Sequence, residues 1–292
     1  MAFGDILNTP ATDSASSNFA NTITVTLAAT PASGSAIIAC YSTAATTASA
    51  DDMKPTGFTV ASEATNTAIN RKVSQYLKIS DGTETAVTCG GGDAYAGEVV
   101  VYVVDVAGNA TPLGDVGANS PSTGDDTNPI ACGSVTTTTA NALVIAAATH
   151  TSGAGGVATP STGFTLGSTV QASGSGLATI HNLLSATGTE SPTVSMAGGV
   201  SDNAGCSLSL YEAVAAVATI VDVDVDGRIH KGQSTLTFNT SNIPTATTYQ
   251  AFINSIELPF VSRVGDLFTF TVPAAVKALA SSSYTTLFIY TL

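Results

Sequence analysis

Three carboxylates at alternate positions are the residues whose spacing most nearly matches a known chemical site. Asp222, Asp224 and Asp226 precede Gly227, as in the first half of a calcium-binding loop. The twelfth position of such a loop would be Gln233, whose amide cannot supply the bidentate carboxylate that closes the site. The alternation with valine equally describes a strand with Val inward and Asp outward. Calcium is one candidate ligand here, and a solvated strand face is the alternative.

The three histidines offer no recognisable catalytic arrangement. His150, His181 and His230 are far apart in the sequence, none lies in a metalloprotease spacing, and no Gly-x-Ser-x-Gly motif is present. A hydrolase needs a nucleophile beside a base that a third group orients. We therefore expect the histidines to be partly exposed or hydrogen-bonded in loops, and we predict no catalytic residue and no cofactor.

The four cysteines match neither a disulfide framework nor a zinc site. Cys40, Cys89, Cys132 and Cys206 have spacings that fit no common zinc pattern. Free cysteine is among the most frequently buried residue types. We predict that all four are small buried core residues.

The elements that must position these residues come from an internal duplication. Residues 36–88 are matched by residues 142–194 at a constant offset, because three sequence blocks recur in the same order without a gap. We predict two copies of one β-sandwich domain, built from short strands of alternating or continuous apolar residues. The matched blocks are Ala36-Ile37-Ile38-Ala39 with Ala142-Leu143-Val144-Ile145, Thr56-Gly57-Phe58-Thr59 with Thr162-Gly163-Phe164-Thr165, and Gly82-Thr83-Glu84 with Gly188-Thr189-Glu190.

The predicted organisation is all-β, with four parts. Residues 1–20 form an N-terminal arm, residues 21–108 the first copy, and residues 109–216 a Gly- and Pro-rich linker with the second copy. Residues 217–292 lack the repeat but contain four further strand patterns, typical of a smaller immunoglobulin-like sandwich. Within them, residues 274–280 after Pro273 could form one helical turn.

Charge limits the possible partners. The net charge is -13 with 10% charged residues, which disfavours binding to nucleic acid or to an anionic membrane surface. No Lys or Arg lies between Lys78 and Arg228, so the second copy is neutral or anionic. We expect the first copy and the C-terminal region to dock onto an acidic or polar partner and the second copy to face outward. The docking candidates are Phe3, Ile6 and Leu7 of the arm, with Arg71, Lys72, Arg228 and Lys231.

The duplicated pattern resembles the β-sandwich modules of tailed-bacteriophage structural proteins. Its parts are an apolar strand, a Pro-containing turn with Gly57-Phe58 or Gly163-Phe164, an alternating strand and a closing apolar strand with Tyr. Residues 226–234 and the strand that ends at Pro273 resemble the immunoglobulin-like domains appended to phage virion proteins. Such modules usually carry Trp where this chain has Phe58 and Phe164.

This resemblance implies a virion structural protein that is not an enzyme. The expected function is capsid decoration or cementing, with the major coat protein or tail proteins as partners and a homotrimer as working unit, by analogy. A tail-fibre or receptor-binding adhesin that recognises a host glycan is the alternative, and a glycan depolymerase would need paired carboxylates. The resemblance also implies a place on the particle surface. The start of the chain lacks a secretory signal pattern, which predicts synthesis in the host cytoplasm.

Overall fold

The protein is described from a computed structural model, in which the chain divides into two compact units, Met1–Ala213 and Val214–Leu292. Nearly all of its regular structure is antiparallel β-sheet, as predicted, with one short helix among the described residues. The structure describes residues 3–10, 14–17, 22–44, 47, 49–68, 71–91, 95–120, 128–151, 157–172, 175–197, 201–212, 235–239, 249–253, 256–264, 267–271 and 287–291.

The predicted first copy, joined by β1 of the predicted arm, contains a five-stranded sheet in the order β1-β7-β3-β5-β4 and a two-stranded sheet, β2-β6. The short helix α1 (Ala50–Met53) precedes β4 and is capped by Ser49, whose hydroxyl accepts a hydrogen bond from the Asp52 amide. Its strands are β1 (Ser14–Ser17), β2 (Thr22–Thr26), β3 (Ala36–Ala44), β4 (Thr59–Asn66), β5 (Arg71–Ile79), β6 (Ala86–Gly90) and β7 (Tyr95–Val104).

The second copy contains a five-stranded sheet in the order β13-β14-β11-β17-β8, with two small sheets, β12-β16-β9 and β10-β15. Its strands are β8 (Leu113–Asn119), β9 (Ile130–Ala131), β10 (Val135–Thr137), β11 (Ala142–Thr151), β12 (Ala158–Pro160), β13 (Thr165–Ala172), β14 (Ser175–Leu184), β15 (Gly188–Glu190), β16 (Thr193–Met196) and β17 (Ser201–Tyr211).

The two five-stranded sheets pack face to face. The order β8-β17-β11-β14-β13 of the second sheet corresponds strand by strand to the order β1-β7-β3-β5-β4 of the first. The two orders run in opposite directions across the interface, because β4 lies against β8 and β17 while β1 and β7 lie against β13. The first strand of each order thus lies against the last strand of the other, as it would across the interface of a twofold-symmetric dimer. The matched strand order is an observation of the structure. The tandem duplication rests on the sequence blocks and stays a prediction.

Both five-stranded sheets are buried on both faces. On β3, Ile38 and Cys40 face the central core between the sheets, whereas Ile37 and Ala39 face an outer core that β2, β6 and Phe58 complete. The second sheet likewise separates the central core from its own outer core, which contains Phe164. Strands buried on both faces read as continuous apolar runs, and this accounts for the sequences of β3, β7 and β11.

Two segments differ from their predicted roles because they complete the edges of these sheets. Within the predicted arm, β1 pairs with β7, and Phe3 lies in the central core with 7% of its surface exposed. Within the predicted linker, Leu113–Asn119 form β8, which pairs with β17. The first unit therefore incorporates stretches whose polar sequences looked like loops.

The second unit shows two three-stranded antiparallel sheets among its described residues, β18-β22-β21 and β20-β19-β23. Phe260 and Phe270 pack edge to face, with ring centroids 5.6 Å apart. Its immunoglobulin-like topology stays a prediction, and the predicted helical turn at 274–280 lies outside the described residues. The strands are β18 (Thr235–Asn239), β19 (Tyr249–Ile253), β20 (Ile256–Leu258), β21 (Phe260–Val264), β22 (Leu267–Thr271) and β23 (Leu287–Thr291).

Candidate functional site

A cluster of polar side chains lies between the two five-stranded sheets. Arg71 on β5 donates from Nε to Thr149 Oγ1 at 2.7 Å and from Nη2 to Ser42 Oγ at 3.4 Å. Ser42 donates to Glu98 Oε2 at 2.6 Å and lies 2.9 Å from Thr149 Oγ1, and Ser175 also donates to Glu98. All five residues are buried. The cluster joins three strands of the first sheet to two strands of the second.

The cluster contains a buried ion pair. Arg71 and Glu98 are both 0% exposed, and Arg71 Nη2 lies 3.6 Å from Glu98 Oε2. Burial lowers the pKa of Arg71, while Glu98 and Asp202 act in the opposite direction. Such a pair costs several kcal/mol of desolvation per ion, and only good hydrogen bonding can offset it. Solvent and substrate have no access to these atoms, so the cluster is structural and aligns the two sheets.

Glu98 is not among the site residues predicted from the sequence, and Arg71 does not have the exposed position predicted for it. Arg71 was predicted to dock onto a partner, but it is buried because β5 carries it into the sheet interface, so that prediction is wrong. The signal for Glu98 was a single carboxylate in the otherwise apolar strand β7. Exchanging Arg71 for Glu would therefore damage the fold. Of the two basic docking candidates of the first copy, only Lys72, which is half-buried, is suitable for a charge-reversal test of docking.

The other docking candidates are divided between contacts within the first unit and undescribed residues. Phe3 is buried, Ile6 is half-buried and forms an isolated bridge to Val104, and the Leu7 amide donates to the Val103 carbonyl at 2.7 Å. These contacts hold the N-terminal segment against the chain's own sheet. The candidates Arg228 and Lys231, and the calcium candidates Asp222, Asp224 and Asp226, lie outside the described residues.

His150 and His181 lie in strands rather than in the predicted loops. His150 is in β11, which continues past its apolar residues to Thr151, and His181 is in the middle of β14. His150 is 1% exposed, and neither ring nitrogen has a hydrogen-bond partner. Burial, together with the charge of Arg71, lowers its pKa to about 4. His181 packs edge to face on Tyr102 at 5.8 Å, and burial lowers its pKa as well. Both act as neutral packing residues, and His230 lies outside the described residues.

We expect His150 to make the fold sensitive to mild acid. An unfolded histidine binds its proton near pH 6.5, whereas folded His150 does so only near pH 4. The stabilisation is thus present above pH 6.5 and is lost as the pH falls towards 4, by about 2 kcal/mol between pH 7 and pH 5. Urea unfolding at both pH values measures it. His150→Leu should remove this share of the pH dependence, and an unchanged dependence in the variant would contradict the assignment.

The four cysteines are free and buried, as predicted. Burial raises the pKa of Cys40 and of Cys132 to about 12, and it also raises the pKa values of Cys89 and Cys206. Thiols with such pKa values remain protonated at neutral pH and are poor nucleophiles. Across the described ranges, no three His, Cys, Asp or Glu side chains are grouped so that they could hold a metal ion.

An open groove of about 360 Å³ lies on the first copy, where the turn before β4 meets β5 and β6. The turn is closed by a hydrogen bond from the Phe58 amide to the Pro55 carbonyl, at 3.1 Å, and requires the positive φ of Gly57, 81°. Residues that line the groove are Lys54, Pro55, Thr56, Lys78, Glu84 and Thr88, among others.

Lys78 is held in position within this groove. Its Nζ donates to Glu84 Oε1 at 2.6 Å, and its alkyl chain covers Gly57, where an added Cβ would lie 3.7 Å from Cδ, Cε and Nζ. Burial alone would raise the pKa of Glu84, but hydrogen bonds from Lys78 and Ser80 outweigh it and bring the pKa to about 2. The hydrogen bond from Lys78 to Glu84 correspondingly raises the pKa of Lys78. Both groups are charged at neutral pH.

The second copy builds the same turn without the cation. The Phe164 amide donates to the Ser161 carbonyl at 3.0 Å, and Gly163 has a φ of 88°. A Cβ at Gly163 would lie 3.4 Å from the Asn182 side-chain nitrogen, so Asn182 covers this turn as Lys78 covers the other. The charged groove is therefore particular to the first copy.

Comparison with known proteins gives no further assignment of this groove or of the buried cluster. In the part of the chain that the structure describes, no helix has the length and apolarity needed to cross a bilayer. Comparison with models of known protein families, with curated protein sequences and with solved structures finds no match to this chain.

Proposed function

We propose that this chain is a non-enzymatic structural protein of a tailed-bacteriophage particle, a capsid decoration protein that binds the coat surface and bridges neighbouring subunits. The observation that carries the proposal is where apolar side chains are exposed. Among the described residues of the first unit, the large exposed hydrophobic side chains all belong to the second copy: Leu113, Val116, Val157, Leu166 and Leu183.

Three of these side chains lie at the two edges of the five-stranded sheet of the second copy. Leu113 and Val116 are on the edge strand β8, 37% and 42% exposed, and Leu166 is on the opposite edge strand β13, 38% exposed. Four strand spacings separate these edges, about 19 Å. A surface without Lys or Arg and with apolar contacts at two separated edges suits a protein that joins two neighbouring subunits, since apolar burial drives most protein association.

The proposed docking face belongs to the other copy than the one expected from charge alone. Arg71 is buried, so the first copy has fewer accessible cations than its sequence indicates. The second copy has no Lys or Arg, and it is the copy that exposes apolar side chains. The second copy therefore faces the coat, and its partner surface is apolar and polar rather than acidic.

The test is to remove each apolar edge separately. Val116→Asp and Leu166→Asp should each weaken binding to particles by roughly 5- to 30-fold, about 1–2 kcal/mol, because an exposed contact is replaced by a charge. The protein retained on purified particles and the heat resistance of those particles measure the effect. Val261→Asp, at a 53% exposed valine of the second unit, is the matched control. Full occupancy by both edge variants would contradict bridging through this sheet.

The position and mass of the protein test the wider proposal. A decoration protein should label the capsid of the phage that encodes it, and we propose a homotrimer as its working unit by analogy with phage decoration and fibre proteins. Labelling confined to the tail tip would favour the adhesin, and a monomer at micromolar concentration would exclude the trimer. The charged groove of the first copy is the specific observation that favours the adhesin as second candidate.

A further inference from the structure

We propose that the groove on the first copy binds a uronic acid, a sugar ring that carries a carboxylate. The inference goes beyond the docking function, since it concerns the other copy and a small ligand. It also does not depend on where the protein sits on a particle.

Cationic side chains are concentrated at this groove. Residues 1–213 contain four basic residues, Lys54, Arg71, Lys72 and Lys78. Arg71 is buried in the sheet interface, and two of the remaining three line the groove. Two of the three accessible basic side chains of this unit therefore line one groove, where the carboxylate of a ligand would find ammonium donors.

The carboxylates around the groove leave those ammonium groups available. Lys54 pairs with Asp51 at 2.6 Å and Lys78 with Asp81 at 4.0 Å, but Asp51 and Asp81 have side chains 72% and 63% exposed. Exposed ion pairs of this kind contribute little, so a ligand carboxylate can replace them. Glu84 is different, because its side chain is 7% exposed and orients Lys78. An ammonium group has three donors, which leaves Lys78 donors for a ligand after it has bonded Glu84.

The rest of the groove fits a sugar ring better than an inorganic anion. Thr56 and Thr88 are exposed lining residues that carry hydroxyl groups, and the exposed Ala86 adds apolar surface. Ring hydroxyls can bond the threonines, although Thr88 Oγ1 also lies 2.8 Å from Thr24 Oγ1, while the C–H face of the ring packs on Ala86. A volume of about 360 Å³ lies within the range of small-molecule sites. The corresponding turn of the second copy carries Asn182 instead of Lys78, so it lacks the ammonium group that the carboxylate needs.

The experiment is a titration of the purified full-length chain, labelled with ¹⁵N, with D-glucuronate and separately with D-glucose. D-glucuronate should cause saturable shifts of the Thr56, Gly57 and Thr88 amides. Lys54→Gln and Lys78→Gln should each weaken its binding by about 10-fold or more, because each removes a charge-assisted hydrogen bond. Lys72→Gln is the matched control and should leave binding unchanged. Lys54 is half-exposed, with 37% of its side chain accessible, so its variant keeps the fold.

Four results would overturn the proposal. They are no saturable shift with D-glucuronate, equal binding of D-glucose, an equal loss of affinity in Lys72→Gln, and equal binding of a blocked glutamate dipeptide. The last would assign the groove to an acidic peptide instead of a sugar. Each of these results can occur whether or not Val116→Asp and Leu166→Asp reduce occupancy on particles. Failure of the ligand proposal can therefore be distinguished from failure of the docking proposal.

Discussion

Arg71→Met is expected to destabilise the first unit by about 3–5 kcal/mol, because it leaves Glu98 buried without its cation. The Glu98 carboxylate would keep its hydrogen bonds from Ser42 and Ser175 but lose the charge that compensates its removal from water. Since domains are stable by only about 5–15 kcal/mol, a large part of the folded population is at risk. Urea unfolding followed by circular dichroism measures this, as the chain has no Trp to report by fluorescence.

The double variant Arg71→Met, Glu98→Gln is the matched control for this prediction. Replacing both charges removes the unpaired ion, so the double variant should recover much of the stability lost in Arg71→Met. The double-mutant cycle then separates the coupling between Arg71 and Glu98 from the cost of each change alone. An Arg71→Met variant with the unfolding midpoint of the natural chain would show that the pair does not hold the sheets together.

The sequence predicted the class of fold because its local patterns and the burial of its strands agree. The alternation in Thr22–Thr26 produces the expected strand, with Ile23 and Val25 buried and the threonines exposed. Pro55 and Gly57 form the expected turn, after which Phe58 enters the core. Each of these features depends on neighbours along the chain, and such patterns specify local structure well.

The packing of the two copies against each other could not be predicted in the same way. Continuous apolar strands such as β3 and β11 indicate burial on both faces but do not say which partner covers the second face. The offset of 106 matches Ile38 with Val144, yet Ile38 faces the central core and Val144 an outer core. A shift of one residue exchanges the two faces of a strand, and a sequence without an alignment does not reveal such a shift.

The candidate sites illustrate the same limit. Arg71 looked like a surface cation, and only its position on β5 opposite Thr149 shows that it is buried. Lys54, Lys78 and Glu84 are separated by up to 30 positions in sequence, yet they line one groove because β5 and β6 bring them beside the turn. Charge can be counted from a sequence, whereas its accessibility depends on contacts between distant strands.

The second large effect is expected from a single methyl group at Gly205. This residue lies on β17, where a Cβ would overlap the carbonyl oxygen of Ala131 and lie 2.9 Å from the Cα of Cys132. Both obstacles are backbone atoms that a change of rotamer cannot move, so β9 must shift away from the sheet. Gly205→Ala should therefore cost about 3 kcal/mol, at the upper end of overpacking effects. The melting temperature should fall by roughly 6–12 °C for a unit of this size.

Gly188→Ala is the control that separates this steric effect from the general effect of replacing glycine in a strand. Gly188 lies on β15, and a Cβ there would meet nothing within 4 Å. Its variant should be neutral or slightly stabilising, because alanine has less conformational freedom to lose on folding. Thermal unfolding of the two variants beside the natural chain measures the difference. Equal melting temperatures for both variants would mean that β9 does not approach β17 as closely as this packing requires.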